Sequence, residues 1–316
     1  MRGAYGAAPA SGRSGVRSAY SWPMPEWPPI SEPELLARLA LPDEEFKEFV
    51  AEFARSLPAR EFEPAMLERA LGYPWERPPG SYEWRDGTVR PFAELTEAER
   101  EEVIERYTCG DGLRLPLLAI GSNGAPAVLA RKFGHFPAGE ERAVLVLSGH
   151  LHEFDVGAAA NPAIYGSMPA TVFESPGTAV AAAVLWVTPD QFTQLTWSEI
   201  SYFLGRLHTR FEVADAELSF DDVLVFVSRF GTFRIDGQPA ALAAVPARDR
   251  SARPYTQRQL LDRAAQLALG PEADAELLLR AICEDFDAVL PKVAATVRSE
   301  AIPFRSARWV QFDPRS

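Results

Sequence analysis

Leu115-Pro-Leu-Leu-Ala-Ile-Gly-Ser-Asn-Gly124 is a short apolar run that stops at a tight polar turn. Such a run, bounded by glycine, reads as a buried strand delivering a loop. The turn lacks the lysine and spacing of a phosphate-binding P-loop and the third glycine of a dinucleotide fingerprint, so neither nucleotide reading holds. What it can do physically is aim successive backbone N–H groups at one oxygen of a carboxylate or oxyanion. On composition alone it is more readily a plain turn.

Outward from this stretch the buried-strand signature returns in Arg142-Ala-Val-Leu-Val-Leu147, Val180-Ala-Ala-Ala-Val-Leu-Trp-Val187 and Val223-Leu-Val-Phe-Val227. Thr188-Pro-Asp-Gln191 supplies an N-cap, a proline at the first helical position and a glutamine at the third, starting a helix that carries Phe192 and Leu195. Glu199 falls near its end. Thr256 with Gln259 opens a helix through Leu260, Leu261, Ala264, Ala265 and Leu267 that stops at Gly270-Pro271. A last helix is expected from Ala273 to about Arg298, burying Leu277, Leu278, Ile282, Phe286 and Val289.

Upstream the pattern is helical. Ser31 with Glu34 has the spacing of a capping box, and Phe46, Phe49, Val50, Phe53 and Leu57 repeat at helical intervals. The connector Gly72-Tyr-Pro-Trp-Glu-Arg-Pro-Pro-Gly-Ser81 reads as an ordered loop wrapping a neighbour. Tyr73, Trp75, Tyr82 and Trp84 are expected to pack against the core rather than line a pocket. Thr96 and Glu99 offer another capping box ahead of Val103, Ile104 and Tyr107. Helices thus flank a run of strands instead of alternating with them, which points to an α+β fold. The expected divisions are an arm over 1–30, a helical extension over 31–112, the strand-rich unit over 113–270 and a helical tail over 271–316.

The 316 residues are 47% hydrophobic and carry a net charge of −12. That charge disfavours nucleic acid and anionic lipid, whose binding rests on Lys and Arg. The basic stretches around Arg2, Arg13 and Arg17 and around Arg298, Arg305, Arg308 and Arg315 are read as solvated termini. Cys109 and Cys283 match no paired-cysteine spacing and fit thiols in a reducing compartment. The apolar runs fall far short of the roughly 20 residues of a membrane helix, and residues 1–20 contain no signal-peptide core. A cytoplasmic, soluble protein with no membrane partner is expected.

Three local chemistries were weighed on the residues. His150-Leu-His152 puts two imidazoles on one strand face, but no third ligand accompanies them, so no metal and no cofactor are expected. Ser122 is not in a nucleophile elbow, and neither cysteine has a recognisable His/Asn arrangement. Glu199, in Leu195-Thr-Trp-Ser-Glu-Ile-Ser-Tyr202, has apolar neighbours Trp197 and Ile200 that can desolvate a general acid/base. Taken alone it reads more readily as a solvated helix glutamate.

The motifs also fall in a recognisable order. Ala119-Ile-Gly-Ser-Asn123, Gly166-Ser-Met-Pro-Ala-Thr-Val-Phe-Glu-Ser-Pro-Gly-Thr-Ala-Val180, Leu195-Thr-Trp-Ser-Glu199 and Pro254-Tyr-Thr-Gln-Arg-Gln-Leu-Leu261 resemble the γ-glutamylcyclotransferase-like superfamily, including its AIG2-like and γ-glutamylamine cyclotransferase members. The resemblance covers about half the chain. It implies a small mixed β-barrel with flanking helices over 113–270, and a small-molecule substrate carrying a γ-glutamyl or similar amide. It further implies that Gly121, Ser122 and Asn123 bind the γ-glutamyl group through backbone amides, with Ile120, Gly124 and Tyr202 around them. Glu199 would then move the proton as 5-oxoproline forms. Three positions depart from the family pattern: Ile120 stands for Tyr, Thr196 for Asp and Ile200 for Gly. Two other readings stand beside this one: another amide-bond lyase or transferase on the same scaffold, and a non-catalytic binding module whose cavity is covered by the helical extension.

Overall fold

The structure, a computed structural model, describes residues 30–56, 61–110 and 112–315. The expected arm, with Trp22, Trp27 and the basic Arg2, Arg13 and Arg17, and also Leu57, lies outside the described residues. Along the chain come α1 (Pro33–Leu39), α2 (Asp43–Ser56), α3 (Pro64–Leu71), the hairpin β1 (Tyr82–Arg85) and β2 (Thr88–Pro91), and α4 (Glu97–Thr108). The strand-rich part holds β3 (Leu115–Ala119), α5 (Pro126–Phe133), β4 (Ala143–Ala158), β5 (Ala170–Val187), α6 (Pro189–Ser198), β6 (Tyr202–Val213) and β7 (Ser219–Ser228). After β8 (Thr232–Ile235) the chain ends in α7 (Gln257–Leu269), α8 (Ala275–Glu284), α9 (Phe286–Ser299) and a final strand, Trp309–Gln311.

Five strands close on themselves in the order β3-β5-β4-β6-β7. The closing pair, β7 on β3, is parallel and meets at Leu117 and Leu224, whereas the other pairs are antiparallel. Closure removes the exposed edges that an open sheet would present. Where helices also cover the outer face, along β3 and the second half of β5, both faces are buried and the strand reads as a continuous apolar run. All five residues of β3 are buried, and alternate ones feed different cores: Leu118 joins Val184 and Val225, while Leu117 joins Leu185 and Leu224. The expected α+β class, a small mixed barrel with helices at both ends of the chain, is the class observed.

Thr96, Thr188 and Thr256 cap their helices as their spacing predicts, each hydroxyl accepting from the third helical N–H while Glu99, Gln191 or Gln259 reaches back. The Ser31–Glu34 box does not form. Pro33 begins α1 because its fixed φ suits the first helical position, which makes Glu32 the cap without a side-chain bond. The expected last helix is two. Asp285 ends α8 and caps α9, accepting from the Ala288 N–H, as short polar side chains prefer caps to helix interiors. Leu277 is 49% exposed, against expectation.

Sequence reading also missed β6 and the first hairpin. In β6 the outward positions Arg206, His208, Arg210 and Glu212 interrupt the apolar run. The hairpin follows directly on the Gly72–Ser81 connector, and Asp86-Gly87 between its strands, both with positive φ, is a strong hairpin signal. Both β4 and β5 extend well past their apolar runs as a paired ribbon, irregular where Glu153 takes a positive φ just after His152. His152 faces Glu212 at 3.3 Å, and among the described residues no three potential ligands converge on a metal site.

The outer segments share the barrel's core. Tyr73 and Tyr107 from the extension, Phe154 and Trp186 from the barrel, and Leu278 and Val293 from the tail belong to one buried cluster. One expectation is corrected here: Arg298 is not a solvated terminal charge. Its guanidinium lies 3.7 Å over the Phe230 ring and donates to Asn161 at 2.6 Å, and burial brings its pKa down to about 10. No helix of the described chain is long and apolar enough to cross a membrane.

Candidate active site

The end of the barrel where β3 and β7 stop and β6 starts carries the turn. Past β3, Gly121 leads into a 3₁₀ turn over Ser122–Gly124, closed by the Ala125 N–H on the Ser122 carbonyl at 2.9 Å, and Pro126 then starts α5. As at any helix start, the Ser122 and Asn123 N–H groups have no partner within the turn. The connector presses on this turn from outside the barrel. Arg77 donates to the Gly121 carbonyl, the Tyr82 hydroxyl donates to the Gly124 carbonyl, and the Tyr73 hydroxyl lies against the Ser122 amide. Gly121 is glycine for this reason: a Cβ there would overlap the Tyr73 hydroxyl.

Across from the turn, Glu199 caps the C-terminus of α6, and its side chain turns back toward Asn123. Asn123 Nδ2 donates to Glu199 Oε1 at 3.1 Å. Lys132, the next-to-last residue of α5, donates to Asn123 Oδ1 at 2.7 Å and to Ser198 Oγ at 2.6 Å, and sits 3.3 Å from the same Glu199 Oε1. Burial lowers the Lys132 pKa, and the Glu199 charge opposes that shift. Glu199 Oε2 receives no hydrogen bond from the described residues. The carboxylate is therefore anchored through one oxygen, with the other unengaged by the described residues.

These groups border a cavity of about 660 Å³. One wall is the turn and the end of α6; the facing wall is apolar and comes from α2 (Phe49, Val50) and α9 (Leu290, Ala294). The ionised lining residues are Lys47, Arg69, Arg131, Lys132 and Arg298 against one carboxylate, Glu199. In a chain of net charge −12 that local excess of cations favours an anionic ligand. Three phenols, Tyr73, Tyr165 and Tyr202, line the same space, and burial raises the pKa of each.

Of the residues singled out in the sequence, Ile120, Gly121, Ser122, Asn123, Glu199 and Tyr202 come together on this cavity. Gly124 does not: it lies beneath the Arg77 guanidinium with its carbonyl on Tyr82, turned into the protein. Tyr202 uses its proton on the Ala170 carbonyl at 3.1 Å. Thr196, at the family's Asp position, bonds back to the Phe192 carbonyl of its own helix and is fully buried. Sequence reading missed Lys132 and Tyr73. Lys132 was legible as a charge inside the apolar stripe Val128, Leu129, Phe133 of α5. For Tyr73, assigned to core packing, only the fold reveals that its hydroxyl end reaches the cavity.

What this fold and site define is a closed five-stranded barrel with a cation-rich cavity built around one anchored glutamate. No protein-family model matches the chain, and no curated protein matches it. Among solved structures it is similar to one described as "Gamma-glutamyl cyclotransferase", at 9% identity, covering 62% of this chain and 92% of that one, with a TM-score of 0.30. A likeness that weak carries no information on activity.

Proposed function

We propose that the protein is an intramolecular acyl-transfer enzyme that cyclises a γ-glutamyl amine or peptide to 5-oxoproline and releases the amine. The observation that carries this reading is Glu199: a carboxylate held through Oε1 by Asn123 and Lys132, with Oε2 unengaged, on a cavity whose other charges are cationic. The motif order around Gly121-Ser122-Asn123 and Glu199 supports it as well. The substrate's α-amine attacks its own γ-carbonyl, so the protein must fold the substrate on itself, steady an oxyanion and move one proton. Glu199 Oε2 accepts the proton from the attacking nitrogen and returns it to the departing amine as the amide C–N bond breaks. The cationic lining would hold the α-carboxylate, and the apolar wall of α2 and α9 would receive the amine's substituent.

The test is a panel of γ-glutamyl amines and dipeptides assayed for 5-oxoproline with the wild type and Glu199→Gln. Turnover by the wild type that falls about 10²–10⁴-fold in the variant is expected for a general acid/base. Turnover indifferent to the substitution rules out the assigned role. Ligand binding with no turnover on any panel member would mean a binding module instead.

A further inference from the structure

The Tyr73 hydroxyl is spent as an acceptor and unspent as a donor. It accepts the Ala170 N–H at 2.9 Å and lies on the Ser122 amide, so backbone donors occupy its oxygen. Its side chain is buried, with only 4% of the residue exposed, and lines the cavity. Among the described residues the hydroxyl is seen to accept and not to donate. Buried donors are almost always paired, so a buried one that faces an open cavity marks the place of a ligand acceptor. Accepting the Ala170 N–H also polarises the O–H and strengthens it as a donor. Tyr202 is the internal contrast. It braces the same Ala170 peptide from the other side but has given its proton to the Ala170 carbonyl.

We propose that Tyr73, brought to the barrel by the Gly72–Ser81 connector, is the hydrogen-bond donor to the ligand's acyl oxygen, and that the Ser122 and Ala170 amides act through it. The turn was expected to offer its amides to the ligand directly; with the phenol on the Ser122 amide, the phenolic proton is what the ligand meets. In the reaction proposed above, on which the catalytic part of this inference rests, the nitrogen lone pair forms the new C–N bond. The carbonyl π pair then moves onto oxygen, and that oxygen gains the Tyr73 hydrogen bond. No proton leaves the phenol. Collapse of the intermediate restores the carbonyl as the original C–N bond breaks, with its proton supplied by Glu199.

Tyr73→Phe and Tyr202→Phe are compared for turnover and melting temperature, and by calorimetric titration with 5-oxoproline. Removing a donor aimed at an oxyanion is expected to lower kcat by about 10²–10³-fold in Tyr73→Phe, with KM changing little. Tyr202→Phe, whose proton is already committed, should lose much less. Equal losses in kcat and melting temperature for the two variants would mean that both merely brace Ala170, and the inference falls. The two proposals separate cleanly. A wild type that turns over no γ-glutamyl compound yet binds 5-oxoproline, with Tyr73→Phe at least about tenfold weaker, ends the cyclotransferase reading and keeps the donor. Full turnover in Tyr73→Phe ends the donor and keeps the cyclotransferase. Should Tyr73→Phe not fold, the wild type labelled with 3-fluorotyrosine decides: the Tyr73 fluorine resonance must shift as 5-oxoproline saturates, and an unmoved resonance overturns the inference.

Discussion

The Gly121–Gly124 turn is gripped from two sides, by contacts of different kinds. On the cavity side the grip runs through side chains, with Asn123 held between Lys132 and Glu199. On the connector side it runs through backbone: Arg77 on the Gly121 carbonyl, Tyr82 on the Gly124 carbonyl, and Tyr73 on the Ser122 amide. A backbone grip fixes the turn's shape whatever side chains it carries. A side-chain grip depends on residue type and charge, and Glu199, the carboxylate proposed to move the proton, belongs to that side.

The contrast breaks most severely at Lys132. The side chains of Lys132 and Glu199 are only 10% and 19% exposed, so replacing Lys132 by Met leaves a shielded carboxylate without its cation. A loss of about 3–5 kcal/mol is expected on urea unfolding, because removing one partner of a buried pair leaves the other uncompensated. Lys132→Met with Glu199→Gln should recover most of that loss. Single-variant losses that simply add, with coupling under about 0.5 kcal/mol, would show that the two groups do not act as a pair.

On the connector side, Arg77→Ala removes a charged donor from the Gly121 carbonyl. The expected loss is about 1.5–3 kcal/mol, the range for hydrogen bonds from charged groups. It should fall toward the lower end, since Arg77 Nε is buried without a partner and its burial already opposes the charged form. The variant sharpens the comparison through its second effect. Loosening the backbone grip should displace Tyr73 and reduce turnover, whereas an unchanged kcat/KM would make the connector a structural strap only.

The two sides also differed in how far the sequence disclosed them. Two barrel strands announced themselves because both their faces are buried, leaving Leu115–Ala119 and Val180–Val187 without polar interruption. The helix starts were legible where a threonine capping box is a local device needing no tertiary partner. Glu199 and Asn123 could be paired only through motif order, since nothing local to Leu195–Tyr202 says which way a residue after the last helical turn will point. Tyr73 was harder still. It lies 48 positions before Gly121, and its contacts are to main-chain atoms of Ala170 and Ser122, which leave no trace in residue identity.

Thr188→Ala gives the smallest effect and separates helix stability from site geometry. Thr188 and Glu199 stand at opposite ends of the ten-residue α6, Thr188 as its N-cap and Glu199 as its C-cap. The Thr188 hydroxyl accepts from the Gln191 N–H at 3.2 Å, while Gln191 returns to the Thr188 N–H at 2.9 Å and also reaches the Glu141 carbonyl. Losing the hydroxyl should cost about 1 kcal/mol, as at other N-caps. Fraying would be confined to the first turn, because the distal end is tied independently by Trp197 on Glu32 and Ser198 on Lys132. A lower melting temperature with unchanged kcat/KM is therefore expected. If activity falls with the cap, the helix transmits strain along its length, and the position of Glu199 depends on the whole of α6 and not only on the residues that touch its carboxylate.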